Sequence, residues 1–464
     1  MNSAGGMGRR GPAGKREGMI ESVLVANRGE IARRVIRTAR RMQIRAIAVY
    51  SEADAGLPYV READEAVLLG PAPAASSYLD ARAVLGAARQ TGAVAVHPGY
   101  GFLAESAEFA AEVTDAGLTW IGPPPSAIEL MGDKINARNL MEQAGVPVAA
   151  GTREPVTNVA AAIEQAGRIG YPVMIKAAAG GGGIGMSAAA NETELRAGFE
   201  TARTRAERFF GSAAILLERY IEQARHVEVQ ILGLNDSRVL ALGERDCSVQ
   251  RRHQKVAEET PSPGVTPQLR ARMLAAAIRA GEAVGYRGAG TVEFLVDTKT
   301  KDFMFLEMNT RIQVEHPITE MVTGIDLVEQ QLLIAAGADV SFRPASVRSE
   351  GHAVELRVYA EDPQRFLPSP GLITEWEEPS GPGVRVDAGY EAGNKVTPFY
   401  DPLLAKLCVH AGSRDEALRR ARSAVDDFRV RGPKTNLPFH AELLDSDQFA
   451  TGCYDTSVVA RLRP

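Results

Sequence analysis

Apolar residues along this chain follow two rhythms, and their succession predicts a mixed α/β protein. Ser22–Ala26 is a short apolar strand, Asn27-Arg28-Gly29-Glu30 a turn, and about Ile31 to Met42 a helix. Ile44–Tyr50 is a second strand, and strand–turn–helix–strand order predicts a parallel sheet. Ala66–Leu69, Ala93–His97 and Thr119–Ile121 extend it, with helical stretches between. Met131-Gly132-Asp133-Lys134 opens a helix running to about Ala144, with Asp133 placed to cap it. Tyr171–Lys176 and Met186–Ala190 are strands around a glycine-rich turn, with a helix after Asn191. Ile215–Ile221 and Arg225–Ile231 are strands, and Pro267–Val284 is helical. From His352 the chain becomes β-rich: Ala353–Tyr359 alternates, and Asp401–Leu407 and Arg414–Phe428 give a strand and an amphipathic helix.

The period-two stretches carry unusual polar faces. Glu307-Met308-Asn309-Thr310-Arg311-Ile312-Gln313-Val314-Glu315 follows an apolar run, and every second residue is chemically capable. In an extended chain all five polar groups share one face, and eight steps of about 3.3 Å span roughly 26 Å. The bland alternative is a half-buried strand with a wet face; such a face usually carries Lys, Thr and Ser. Here two carboxylates, a guanidinium and two amides stand in a row: Glu and Asn are ligands for a hard cation, Arg binds oxyanions, and a Glu near such an Arg can serve as a base. Glu293 is the lone charge in Gly288–Val296. A turn at Asp297–Lys301 makes that run and the Glu307 run a hairpin that can set Glu293 beside Glu307. Two adjacent carboxylates repel unless a cation lies between them, and Mg²⁺ bridging nucleotide phosphates would account for the pair.

Other segments add candidate chemistry. Ala177–Gly185 is the most glycine-rich segment, able to bring backbone N–H groups to phosphates and to hinge. It lacks the Gly-Lys-Ser/Thr of a P-loop and reads as a hairpin lid. Lys176 precedes it, and Lys134 sits in a first helical turn, where a cation is disfavoured unless it has another task. His226, Glu228 and Gln230 share a strand face; Gln250, His253 and Lys255 lie in a dense cationic run. His97–Leu103 is a Gly-rich loop beyond a strand end, a common ligand-binding place in α/β sheets.

Composition narrows the class. The 464 residues are 45% hydrophobic and 24% charged with formal net charge −5, and the mean hydropathy is −0.13. No basic run interleaved with aromatics points to nucleic acid, and no apolar segment approaches the roughly 18 residues that would span a membrane. Cys247, Cys408 and Cys453 are odd in number and far apart, which argues against a disulfide framework and for a reducing compartment. Residues 1–18 are rich in Gly, Arg and Ala without apolar periodicity and read as a disordered tail.

Taken together, Ala26-Asn27-Arg28-Gly29-Glu30-Ile31-Ala32, His97–Leu103, Met131–Lys134, the glycine loop, Arg251-Arg252-His253-Gln254-Lys255, Glu307–Glu315, and Arg357 before Ala360-Glu361-Asp362-Pro363 resemble biotin carboxylase. This is the ATP-grasp component of biotin-dependent carboxylases such as acetyl-CoA carboxylase. The resemblance runs from about Ser22 to the C-terminus. It implies an α/β fold with a pre-ATP-grasp parallel-sheet domain (19–131), an ATP-grasp domain (132–346) with a mobile lid (about 148–220), and a β-rich C-terminal domain (347–464). It implies ATP, Mg²⁺ (or Mn²⁺), and biotin as a carried substrate. Bicarbonate would attack the γ-phosphate to give carboxyphosphate; its breakdown yields CO₂ and phosphate, and the phosphate deprotonates biotin N1′. By motif, Lys134, Lys176, Gly180, Gly181, Gly182, Gly183, His226, Gln250 and His253 would hold the nucleotide, with Glu218, Arg219, Tyr220 and Ile221 the adenine-contacting hinge. Glu293, Glu307 and Asn309 would bind metal. Lys255, Arg311, Gln313 and Val314 would hold bicarbonate and Glu315 deprotonate it, while Arg357 stabilises the biotin enolate and Tyr100 lies beside biotin.

Departures from the family pattern are Ala178 and Ala179 where Ser/Thr and Gly are common, Ile184 in place of a lid cation, and Tyr59 in place of His. The sequence shows no Ala-Met-Lys-Met biotinylation motif and no carboxyltransferase region. The resemblance therefore implies a cytoplasmic subunit, homodimeric like its relatives, that works with a biotin carboxyl carrier protein and a carboxyltransferase subunit. The alternatives are another bicarbonate-using ATP-grasp ligase and a weakly active ATP-binding regulatory subunit.

Overall fold

The computed structural model describes residues 20–177 and 186–463. The predicted tail, the glycine run Gly180–Gly183 and Ile184 lie outside the described residues. Strands β1 (Ser22–Val25), β2 (Arg45–Ser51), β3 (Glu65–Gly70), β4 (Ala95–His97) and β5 (Thr119–Trp120) form a parallel sheet ordered β3-β2-β1-β4-β5. β1 is buried throughout, as a central parallel strand covered on both faces must be. Tyr59 is fully buried, and its hydroxyl donates to Val49 O at 3.1 Å.

The segment expected to be the lid holds a three-stranded sheet, β7 (Ser187–Ala189), β6 (Val173–Ala177) and β8 (Ile215–Arg219), backed by helices Val159–Ile169 and Glu192–Phe210. Asn191 caps the second helix by accepting from Glu194 N. β8 leads directly into the large sheet. That sheet has eight strands: β9 (Ala224–Gly233), β10 (Val239–Arg251), β11 (Gln254–Thr260), β12 (Gly288–Asp297), β13 (Phe303–Asn309), β14 (His352–Tyr359), and two strands from the C-terminal region. The short strands β15 (Gly371–Leu372) and β16 (Glu375–Glu377) come next, then β17 (Val384–Ala388), β18 (Lys395–Val396), β19 (Leu403–Ala411) and β20 (Arg429–Arg431). The order is β13-β12-β9-β10-β11-β14-β19-β17, all antiparallel pairs, while β15 pairs β18 and β16 pairs β20. The sheet thus continues from the ATP-grasp region into the C-terminal one.

Its two faces explain its sequences. On β9 every residue is buried. Val227, Val229 and Ile231 pack with Leu269, Met273 and Ala276 of helix Pro267–Ala283, each large side chain contributing about 1.5–3 kcal/mol by burial. The opposite face carries His226, Glu228 and Gln230, which period two makes neighbours. Across the ladder Glu228 faces Glu293 on β12 and Arg245 on β10, Glu258 on β11 faces Glu355 on β14, and Arg357 faces Lys406 on β19. This face is a buried polar layer, covered in part by helix His316–Thr323.

One expectation fails. The alternation Glu307–Glu315 is strand only through Asn309; Thr310–Glu315 is a bent segment, and a helix starts at His316 with Pro317 in its first turn. Pro cannot continue the ladder but suits a helix start. Arg311 also curls the chain: its guanidinium donates to Asn309 Oδ1 and Gln313 Oε1, both at 2.9 Å. The site is therefore folded back on itself rather than strung over 26 Å.

A buried ionic hub ties the C-terminus to the sheet. Glu259 accepts from His352 Nε2 at 2.7 Å and from Arg414 at 2.7 and 3.0 Å, and the Tyr454 hydroxyl donates to it. Burial opposes ionisation, but His352 and Arg414 override it and hold the carboxyl down to about 2. A depressed carboxyl contributes stability above its ordinary pKa and loses it as pH falls through the folded value. Between about pH 4.5 and 2 this group alone should remove about 3 kcal/mol. Urea titrations across that range should show Glu259→Gln with a flatter acid limb than the parent; parallel limbs would refute the assignment.

Candidate active site

Three side chains at the centre of the polar layer hold one cation. Lys255 Nζ donates to Glu228 Oε2 at 2.6 Å, Glu293 Oε1 at 2.8 Å and Glu315 Oε1 at 2.7 Å. The hairpin β10–β11 supplies it, since Gln250 and Lys255 are register partners around a tight turn at Arg252-His253, both with positive φ. Arg245, wholly buried, backs the cluster by donating to Glu228 Oε1 (2.6 Å), Gln230 Oε1 (2.7 Å) and Thr319 (2.8 Å). Three carboxylates raise the Lys255 ammonium well above its usual range against the opposing effect of burial.

Glu315 lies where the bent segment meets the following helix, and it is fully buried. Besides Lys255, it accepts from Arg357 Nη2 at 3.0 Å, and Cys247 Sγ approaches at 3.8 Å. Burial alone would raise its pKa, but Lys255 and Arg357 hold it well below the carboxylate range, so it is an anion at neutral pH. Arg357 also donates to Glu258 Oε1 at 2.6 Å. Lys406 Nζ, in the mostly apolar strand β19, donates to Val314 O at 2.9 Å and pairs with Glu30 at 2.9 Å. Glu30 in turn accepts from the Tyr100 hydroxyl. Asn27 fixes that loop by donating to Pro98 O and Tyr100 O, both at 2.7 Å. Gly99, at φ +63°, passes so close that a Cβ would meet Asn27 Nδ2 at 2.8 Å. His97, by contrast, is structural: buried, accepting from Gly99 N and meeting Gln331.

The sheet edge toward the lid carries the remaining groups. Glu293 and Glu307 are direct register partners, as the hairpin spacing predicts. Glu293 accepts from Asn309 Nδ2 (2.9 Å) and Gln313 Nε2 (3.1 Å), and His226 Nε2 lies 2.8 Å from its other oxygen. His226 Nδ1 meets Gln250 Nε2 at 2.6 Å, and Glu293 raises the imidazole pKa although burial opposes it. Glu307 is half-buried, and burial followed by repulsion from Glu293 pushes its pKa up. Asp133 does cap the next helix, accepting from Ile135 N and Asn136 N. Lys134 in its first turn is lowered by burial, with Glu307, Lys176 and Glu218 the charges around it. Lys176 on β6 pairs with Glu218 on β8. Arg219 donates to Tyr171 O at 2.7 Å, Tyr220 N–H donates to Pro172 O at 2.9 Å, and with Ile221 they form the link to β9. His253 is not drawn into this cluster and sits exposed at the hairpin tip.

Lys255, Glu293, Asn309, Arg311, Gln313, Glu315 and Arg357 thus form one linked network. Arg311 also reaches Glu105 at 3.2 Å, which joins the first sheet's loops to it. The sequence reading placed Glu228 on a polar strand face without giving it a role, and missed Arg245, Glu258, Glu30, Cys247 and Lys406 as parts of the site. A lone charge within an apolar strand, as at Lys406 in Leu403–Ala411, is the signal that would have found one of them. For a metal, the donor set fits: burial and repulsion from its register partner Glu293 raise Glu307 despite the nearby Lys134, and two carboxylates with the Asn309 amide suit a hard cation.

Family models match in series: "Biotin carboxylase, N-terminal domain" over 19–128, "Carbamoyl-phosphate synthase L chain, ATP binding domain" over 133–342, and "Biotin carboxylase C-terminal domain" over 355–461. A biotin carboxylase of Halalkalibacterium halodurans is 49% identical over 95% of this chain and 97% of its own length. A biotin carboxylase of Haemophilus influenzae is 47% identical over 94% and 97%. Among solved structures, a biotin carboxylase–βγ-ATP complex from Campylobacter jejuni superposes with a TM-score of 0.93 at 43% identity, covering 96% of this chain and 99% of that one. The biotin carboxylase domain dimer of Hydrogenobacter thermophilus 2-oxoglutarate carboxylase, solved with MgADP, ADP and bicarbonate, gives 0.91 at 43% identity over 96% and 98%. Matched over nearly its whole length in both sequence and fold, the chain belongs to the biotin carboxylase family.

Proposed function

We propose that the chain carboxylates biotin at the expense of ATP, with Glu315 as the base, Lys255, Arg311, Gln313 and the Val314 backbone holding bicarbonate, and Arg357 holding the biotin anion. The observation that carries this reading is an ionised, fully buried carboxylate held between two cations on different strands. The Glu315 anion can take the bicarbonate proton as the bicarbonate oxygen attacks the γ-phosphorus. ADP leaves and carboxyphosphate forms. Lys255 and Arg311 balance the charge that gathers there, which is most of what phosphoryl transfer needs from a protein. Carboxyphosphate then breaks to CO₂ and phosphate; the phosphate takes the biotin N1′ proton, and Arg357 steadies the resulting enolate until it captures CO₂. Tyr100, anchored by Glu30, would line the biotin side.

Lys134, Lys176, His226, Gln250 and the hinge Glu218–Ile221 surround the nucleotide in this reading, and motif alone adds His253 and Gly180–Gly183, the latter outside the described residues. Glu293, Glu307 and Asn309 would hold Mg²⁺, which neutralises phosphate charge when bound. The domains are taken as 19–131, 132–346 and 347–464. The partners are a biotin carboxyl carrier protein, a carboxyltransferase and, as the Hydrogenobacter relative's dimer suggests, a second copy of this chain. No described helix is long and apolar enough to cross a membrane. A cytoplasmic location is part of the proposal.

The test is ADP release from the purified chain with MgATP and bicarbonate, with and without free biotin. Biotin-stimulated, bicarbonate-dependent release is the expected result. Bicarbonate-dependent release indifferent to biotin would move the chain to another ATP-grasp ligase, and tight MgATP binding with no turnover, even with a biotinylated carrier, to a regulatory role.

A further inference from the structure

Two carboxylates that this scheme leaves unused stand behind Arg357. Glu258 on β11 and Glu355 on β14 are antiparallel register partners, which puts their Cβ atoms about 4.5–5.5 Å apart. They are 1% and 0% exposed. Glu258 Oε1 accepts from Arg357 Nε at 2.6 Å, and its Oε2 has no partner among the described residues. Glu355 accepts from Cys408 Sγ at 3.4 Å, and its Oε1 likewise has none. Two anions so placed repel, and a buried acceptor left unmade costs more than an ordinary hydrogen bond contributes. One proton between them converts two orphaned acceptors into a donor and its acceptor.

We infer that Glu258 and Glu355 share a single proton in the working enzyme, and that this proton keeps Arg357 free to serve the reacting anion. The inference rests on the role given to Arg357 above. With both carboxyls ionised, one guanidinium would answer Glu258, Glu315 and the neighbouring Glu355. Other cations relieve it only in part: Lys406 acts on Glu355 and Lys255 on Glu258 through space, and neither donates a hydrogen bond to the pair among the described residues. Lys255 is committed to Glu228, Glu293 and Glu315, and Lys406 to Glu30 and the Val314 carbonyl. The thiols Cys247 and Cys408, which also face the pair, are pushed well up by burial and stay neutral. On the covering helix, burial and Lys406 keep His316 neutral. His440, also neutral, meets Arg357 at its carbonyl. Burial, ahead of any neighbour, pushes Glu258 up to about 7 and Glu355 well above the carboxylate range. Glu258 and Glu355 touch no reacting atom in this scheme; they are positioning residues acting through Arg357.

Infrared difference spectra of the whole chain, titrated without substrates, test the shared proton directly. The parent should show a buried carboxylic-acid carbonyl band at neutral pH that fades as pH rises. Glu355→Gln should lack it, because the amide donates to an ionised Glu258, and Glu355→Asp should shift it without abolishing it. In steady state, Glu355→Gln cannot acquire the second negative charge, so the alkaline limb of kcat/KM for bicarbonate should move up by about one pH unit or more. A merely structural role would lower activity at every pH alike. An unchanged band in Glu355→Gln, or an alkaline limb parallel to the parent's, overturns the inference. The infrared arm needs no turnover, so it stands apart from failure of the carboxylase reading itself. Should Glu355→Gln not fold, the Glu355→Asp band shift decides.

Discussion

Glu315→Gln is expected to abolish biotin-stimulated ADP release while MgATP binding, read by calorimetry, stays largely intact. The amide matches the carboxylate in shape but cannot accept the bicarbonate proton, and a positioned base is worth about 10² to 10⁴ in rate. The fold should tolerate the change. Lys255 keeps Glu228 and Glu293, and Arg357 keeps Glu258, so no buried cation is left alone. The nucleotide groups Lys134, Lys176 and His226 do not contact Glu315 through any hydrogen bond described above, which is why binding and turnover should separate. Near-normal turnover in the variant would remove Glu315 as the base. A parallel collapse of MgATP binding would instead show that the substitution disturbs the whole network.

Much of this site was legible as pattern. The hairpin joining Glu293 to Glu307 followed from one lone charge, a turn and a second apolar run, and the register pairs those two residues. The polar face of His226, Glu228 and Gln230 followed from period two. What failed was the assumption that alternation means extension. From Thr310 the chain bends because Arg311 bonds the side chains on either side of it and Pro317 starts a helix, and neither effect changes the hydrophobic rhythm. The bend matters to the chemistry: it turns Glu315 away from the strand line and into reach of Lys255 and Arg357, one from β11 and one from β14. Long-range partners were illegible for a simpler reason. Glu30 and Lys406 lie 376 positions apart by number, and only the packing of the helix Gly29–Arg41 against the last strands of the large sheet brings them together. A lone Lys in an apolar strand signals a buried partner, but not which one.

Lys255→Met should have the largest effect on stability, and for an electrostatic reason that pH can expose. The ammonium sits within 2.8 Å of three buried carboxylates, and removing it leaves Glu228, Glu293 and Glu315 facing one another. Stripping one partner from a buried ion pair costs about 3–5 kcal/mol, because the remaining charge is uncompensated. His226 and Arg357 offset part of this for Glu293 and Glu315, and Arg245 for Glu228. The pH dependence has a definite sign. The Lys255 pKa is raised on folding, so its contribution is complete below the unfolded value near 10.4 and is lost only as pH rises through the higher folded one. Glu293 and Glu315 are depressed, so their contributions hold above the ordinary carboxylate value and fade as pH falls through the folded ones. Acid therefore weakens the parent by titrating these carboxylates. In Lys255→Met they have already lost their main cation and protonate at higher pH, which relieves their repulsion. Urea midpoints should differ most near neutral pH and converge on acidification, and adding Glu228→Gln to Lys255→Met should recover part of the loss. A gap that stays constant with pH, and that Glu228→Gln does not narrow, would mean that the Lys255 side chain stabilises the site by its packing and not by its charge.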